Sequence, residues 1–163
     1  MKTLYIARHA KSNWGQAGYT DFDRPLNEQG IIDAKVMAKH LSSLNIKVDS
    51  IITSSAVRAL TTANVYAKEI LLQGAPVSVD VIYEAEERIV LEVIRDIHND
   101  FDAVMLVGHN PGISLLISML TDHQVDMSAG NIAELKIDLK NWNDIGMNSA
   151  QLVQILSPKN ISI

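Results

Sequence analysis

The sequence predicts an α/β fold: a mostly parallel sheet with helices packed on both faces, an αβα sandwich of three layers. Two observations carry this. Short, β-branched apolar segments alternate along the chain with longer segments whose apolar residues recur at helical spacing. The short segments are also nearly continuously apolar, as strands covered on both faces must be. The 163 residues are 47% hydrophobic and 20% charged, and no linker or repeat divides them. One domain over 1–163, with a sizeable core, is therefore expected.

The expected strands are Thr3–Ala7, Ser50–Thr53, Val77–Ile82 and Ala103–Val107. Between them Asn27 is placed to cap a helix over "EQGIIDAKVMAKHLSSL", with Ile31, Ala34, Ala38 and Leu41 on one face. Residues 55–72 put Ala56, Ala59, Leu60, Ala63, Ala67 and Ile70 on one face. Residues 87–98 do the same with Ile89, Val90, Val93, Ile94 and Ile97, and the segment after "GHNPG" with Ile113, Leu116, Ile117 and Leu120. "IAELKIDL" and "AQLVQIL" read as two further strands, joined by a turn or loop, "KNWNDIGMNS".

Composition narrows the function. A net charge of −5 argues against a nucleic-acid or membrane-surface partner, since both need a basic footprint. The absence of cysteine excludes disulfides, thiolate metal sites and a thiol nucleophile, and fits a cytoplasmic location. The first residues show no apolar run of signal-peptide type, and no segment is long and apolar enough to span a membrane.

Ligands of open α/β sheets bind beyond the carboxyl ends of the strands. The residues just past each strand are therefore informative. The first strand leads into Arg8-His9-Ala10-Lys11-Ser12, the second into Ser54-Ser55-Ala56-Val57-Arg58, the third into Tyr83-Glu84, and the fourth into Gly108-His109-Asn110-Pro111-Gly112. Arg24, in "DRPLN", lies in the loop after the first strand. Guanidinium forks hold phosphate oxygens bidentately. Pro25 and Pro111 can open helices and leave backbone N–H groups free for an anion. A neutral imidazole can attack phosphorus if its other nitrogen is held by an acceptor, and a second, protonated histidine can donate to a transferring oxygen. Glu84 could protonate a leaving group. The set suits phosphoryl transfer through a phosphohistidine.

Taken singly, each of these residues has a plainer reading. Arg8-His9 is ordinary strand-end surface, "GHNPG" an ordinary strand-to-helix turn, and Arg58 a solvated helix residue. Glu84 adjoins Glu86 and Glu87 in a charged run, while His40, His98 and His123 are surface or structural. Few acidic residues flank His9 or His109, so a metal is not expected. The functional reading rests on all these groups falling at the same edge.

Arg8-His9, Arg24-Pro25-Leu26, "TSSAVRALTTA" and "VGHNPG" resemble, in order, the motifs of the histidine phosphatase superfamily, with its phosphoglycerate mutase-like fold. The short length, "MSAGNIAELKI" and Trp142 resemble its SixA-type phosphohistidine phosphatase branch. The resemblance implies that His9 is the phosphorylated nucleophile. It implies that Arg8, Arg58 and His109 clamp the phosphoryl oxygens, that Arg24 joins the pocket, that Ser54 lines it, and that Glu84 stands where larger relatives carry a proton donor. It implies no cofactor or metal. One departure is Ala10, where the family usually has glycine; it is tolerable if φ there is negative. The expected substrate is a phosphorylated protein, with a phosphohistidine domain favoured because imidazole leaves more easily than an alkoxide. A small phosphate ester is the alternative, and a non-catalytic phosphoprotein-binding module a third reading. No lid-sized insertion interrupts the core, so an open pocket is expected.

Overall fold

Alternate residues of the first strand face opposite ways, and this sets the layers. Leu4 and Ile6 point to one core, Tyr5 and Ala7 to another, and all four are buried. The structure is a computed structural model describing residues 1–15 and 17–161. Its strands are β1 (Lys2–Arg8), β2 (Ser50–Thr53), β3 (Val77–Ser78), β4 (Ala103–Gly108), β5 (Ile132–Ile137) and β6 (Ala150–Leu156). Its helices are α1 (Glu28–Ser43), α2 (Val57–Glu69), α3 (Glu87–Arg95) and α4 (Gly112–Thr121). None of these helices is long and apolar enough to cross a membrane.

The sheet order is β3-β2-β4-β1-β5-β6. β3, β2, β4 and β1 run parallel, β5 is antiparallel to β1, and β6 is antiparallel to β5. α1 and α2 cover one face through Ala34, Met37, Leu41, Ala59, Ala63 and Tyr66. α3 and α4 cover the other through Val90, Ile94, Ile113, Leu116 and Ile117, joined by Trp142. This is the three-layer, mostly parallel α/β sandwich expected.

Three expectations are corrected. The strand read over Val77–Ile82 pairs for only two residues, because β3 is an edge strand beside the short β2. Asp80 then opens a single 3₁₀ turn, Asp80–Ile82, held by its hydrogen bond from the Ser55 hydroxyl. Ile31 and Ile89 lie on exposed helix faces, and the buried stripe of α1 instead runs through Gly30, Ala34, Met37, Ala38 and Leu41. Pro25 opens no helix. Asn27 does, as expected, accepting the Gly30 N–H at 2.7 Å.

Two contacts fix the loops that carry the site. Gly112 packs so closely on the Ala85 carbonyl that a Cβ there would collide with it, which seats the 82–86 segment against the start of α4. Gly130, at φ 80°, donates its N–H to the carbonyls of Arg8 (3.2 Å) and His9 (3.0 Å) and so pins the end of β1.

Candidate active site

The register of the parallel strands brings the functional residues together. Arg8 of β1 lies opposite Gly108 of β4, and Thr53 of β2 opposite Val107. The next residues, His9, His109 and Ser54, therefore emerge side by side at one sheet edge. Backbone bonds continue the ladder there: His9 N–H to the Gly108 carbonyl at 3.3 Å and Ser54 N–H to the Val107 carbonyl at 3.0 Å. The two imidazole rings face each other with centroids 5.1 Å apart.

Hydrogen bonds define the tautomers. His9 Nδ1 is 2.7 Å from the Ala10 carbonyl, which can only accept, so Nδ1 carries the proton and Nε2 the lone pair. Arg58 Nε stands 3.4 Å from that Nε2. Arg58 Nη2 stands 3.5 Å from His109 Nδ1, so His109 holds its proton on Nε2 and donates to Ser54 Oγ at 2.7 Å. Ser54 thus lines the site and orients His109.

Both rings are almost fully enclosed. Burial is the main reason that the pKa of His9 is lowered to about 3 and that of His109 to about 4. The charges of Arg58 and Arg8 push both the same way, and His109 further lowers His9. His9 is therefore held neutral. His109 is likewise neutral in the free site. Histidine NMR titration should find both rings neutral from pH 8 down to 5, and titration near 6.5 would contradict the arrangement. The linkage has a definite sign. Unfolded imidazoles bind protons near pH 6.5, so stability should be lost as pH falls from there towards 4 and 3.

The arginines come from three elements. Arg8, at the end of β1, donates from Nη1 to the Met127 carbonyl at 3.1 Å, and its buried Nε has no partner among the described residues. Arg58 sits in the first turn of α2, and Arg24 in the loop before α1; both are buried. Strand-end reasoning assigns nothing to balance these two charges. Asp21 does so in the structure. Its carboxylate accepts from Arg24 Nη2 at 3.1 Å, Arg58 Nη2 at 3.2 Å and the Tyr83 hydroxyl at 2.5 Å, and its carbonyl accepts from Arg58 Nη1 at 2.6 Å. The Tyr83 hydroxyl foremost, then Arg24 and Arg58, hold the pKa of Asp21 down to about 2.

Tyr83 also stacks edge-on against His109, with centroids 5.6 Å apart, and against Phe22 at 5.0 Å. It is the residue of its segment that faces the site. Glu84 beside it is not buried, sits at φ 52°, and among the described residues has no hydrogen bond to the histidines or arginines. Asp21 and Phe22, in the loop after β1, lie against Arg58 and Tyr83, and His9 and His109 are 7% and 6% exposed. Ala10 does not adopt positive φ. Its methyl is fully buried in the α1–α2 core and its N–H donates to Thr62 Oγ1, so the departure from glycine is accommodated.

A parallel α/β sheet that presents two facing histidines across a guanidinium defines a class: enzymes that bind and move phosphoryl groups. The histidine phosphatase superfamily (branch 1) model matches residues 4–81. The putative phosphohistidine phosphatase SixA from Agrobacterium tumefaciens is 25% identical, superposes with a TM-score of 0.81, and is covered over 98% of its length by 96% of this chain. A protein histidine phosphatase SixA complexed with tungstate superposes with a TM-score of 0.84 at 19% identity, over 98% of this chain and 99% of that one. An uncharacterized chloroplastic protein of Arabidopsis thaliana is 27% identical over 161 residues, covering 88% of this chain and 70% of its own. Over residues 4–81 the chain matches the histidine phosphatase superfamily, and it shares the fold of the SixA-type structures.

Proposed function

We propose that the chain is a phosphatase that passes a phosphoryl group through His9, and that its substrate is a phosphohistidine on another protein. The observation that carries this is the state of His9: a neutral ring whose Nδ1–H is held by the Ala10 carbonyl, with its Nε2 lone pair facing Arg58. In the first step Nε2 attacks phosphorus, the bond from phosphorus to the leaving nitrogen breaks, and that nitrogen keeps the electron pair; the imidazole leaves neutral, its other nitrogen carrying the proton it brought. In the second, water attacks phosphorus, the bond to His9 breaks, and phosphate leaves with His9 neutral again. Arg8, Arg58 and His109 hold the non-bridging oxygens, with Arg24 behind them and Ser54 fixing His109. Positioning and charge supply most of the acceleration in such transfers.

The position of Glu84 supports an easily displaced leaving group. A carboxyl at the surface with no tie to the site is a poor acid for an alkoxide, whereas imidazole needs little help. Turnover of a phosphohistidine protein, an aryl phosphate and several sugar phosphates by wild type, His9→Ala and Glu84→Gln tests this. The phosphohistidine protein should be the best substrate, lose all turnover in His9→Ala, and keep it within about tenfold in Glu84→Gln. If Glu84→Gln abolishes turnover of every substrate, the leaving-group reading fails.

A further inference from the structure

We propose that Asp21 selects substrates by charge, admitting phosphoryl groups whose carrier is neutral or cationic beside the phosphorus and rejecting carriers with a second anion there. The inference rests on the reading of His9, His109 and the arginines as a phosphoryl site and adds which carriers that site takes.

Asp21 stands at the mouth, not in the depth. Its side chain is 34% exposed, against 4% for Arg24 and Arg58. One nitrogen, Arg58 Nη2, is 3.2 Å from Asp21 Oδ2 and 3.5 Å from His109 Nδ1, so a single guanidinium separates the carboxylate from the histidine pair. A carrier attached to a phosphoryl group at those histidines lies within reach of this carboxylate's charge.

The charge count is equally specific. Apart from the histidines, the three guanidinium charges of Arg8, Arg24 and Arg58 face the Asp21 carboxylate, leaving two positive charges, the match of a phosphoryl dianion. A carboxylate or second phosphate on the carrier would meet a site already neutralised, next to a fixed negative charge.

Beyond the three arginines, Arg88 lines a cavity near the site with Glu84, Glu86 and Glu87, so acidic side chains outnumber it there. The charged neighbours of the outer groups are acidic: Glu84 acts on Tyr83, and Asp126 on Arg8. The outer face of Arg24 is taken by the Trp14 indole, 4.3 Å from the guanidinium carbon. Lys11, the nearest lysine along the chain, lines a separate cavity of about 220 Å³ with Asp33 and Ser128. A phosphoramidate fits these conditions, because its nitrogen carrier is neutral or gains a proton as it leaves. A phosphorylated hydroxy acid or a bisphosphate does not.

Non-hydrolysable probes separate this from chemistry. Binding of phenylphosphonate, 3-carboxyphenylphosphonate and 3-(aminomethyl)phenylphosphonate is measured by calorimetry on wild type, Asp21→Asn and Asp23→Asn. Asp23 serves as control because it lies in the same loop, exposed, and its side chain bonds Thr20 at the surface. Wild type and Asp23→Asn should bind the carboxylated probe at least about tenfold more weakly than the neutral one, with the amine the tightest. In Asp21→Asn that gap should shrink to within about threefold. A purely structural role would weaken all three probes together and leave the gap intact, which overturns the proposal. So does equal binding of neutral and carboxylated probes by wild type, or binding of none. Acid-labile phosphate on His9 after exposure to an aryl phosphate reports the phosphatase reading separately: its presence without the gap removes only the role of Asp21, and its absence with the gap removes only the chemistry.

Discussion

Replacing His9 with alanine should lower kcat by at least about 10⁴-fold on every substrate while the protein stays folded. The reason is local. Among the described residues, the side-chain hydrogen bonds of His9 are one to the adjacent Ala10 carbonyl and one long contact from Arg58 Nε, so few stabilising bonds leave with it. The removed ring is also one whose burial weakens the fold at acid pH, so the variant should resist acid better than wild type. Circular dichroism against pH, run beside the assay, checks both parts. A loss of less than about tenfold in kcat would place the nucleophile elsewhere.

Arg58→Ala carries the second large effect. Among the described residues Arg58 alone touches His9, His109 and Asp21, and all of its contacts come from one rigid fork on the first turn of α2. Its loss removes donors aimed at the developing charge, which costs about 10²–10³ in kcat for a single such group. It also relieves one of the charges that keep His9 and His109 from binding protons, so both rings should titrate higher than in wild type. Arg58→Lys should recover little, because a point charge cannot face two imidazoles and a carboxylate together. Asp21 keeps Arg24 and Tyr83 in either variant, so the loop stays attached and the loss reads chemistry more than folding. Near wild-type kcat/KM in Arg58→Lys would contradict the fork geometry.

The legible part of the fold and site comes from periodicity and strand ends. β2 and β6 fall where their apolar runs stop, and parallel register alone dictates the side-by-side exit of His9, Ser54 and His109 once the strands are identified. Arg8 and Arg58 are legible because they lie at or shortly after those ends, and Arg24 because "DRPLN" falls in the loop after the first strand. Asp21 is not, since a loop has no period, and "TDFDRP" offers two carboxylates at similar distance from Arg24. Only the folded loop distinguishes them: Asp21 turns inward to both arginines, while Asp23 bonds Thr20 at the surface. The spacing of Asp21 three residues before Arg24 is the available signal. Tyr83 is hidden for a related reason. Val77, Val79 and Val81 read as a strand continuing towards it, but at a sheet edge that alternation has only two residues of β2 to pair with. The chain turns at Asp80 instead and brings Tyr83 inward. The loop that carries Asp21 is fastened where Asn27 N–H bonds the Lys11 carbonyl and the Ser12 hydroxyl bonds the Pro25 carbonyl.

The central claim is that the phosphoryl group rests on His9 between the two steps. Rapid quenching of the enzyme in alkali during turnover, followed by peptide mass spectrometry and ³¹P NMR, reads this directly. The account predicts an alkali-stable, acid-labile phosphate on Nε2 of His9, absent from His9→Ala and accumulating in Arg58→Ala if the second step is the slower. Turnover that leaves no phosphate on His9, or leaves it on His109, would contradict it.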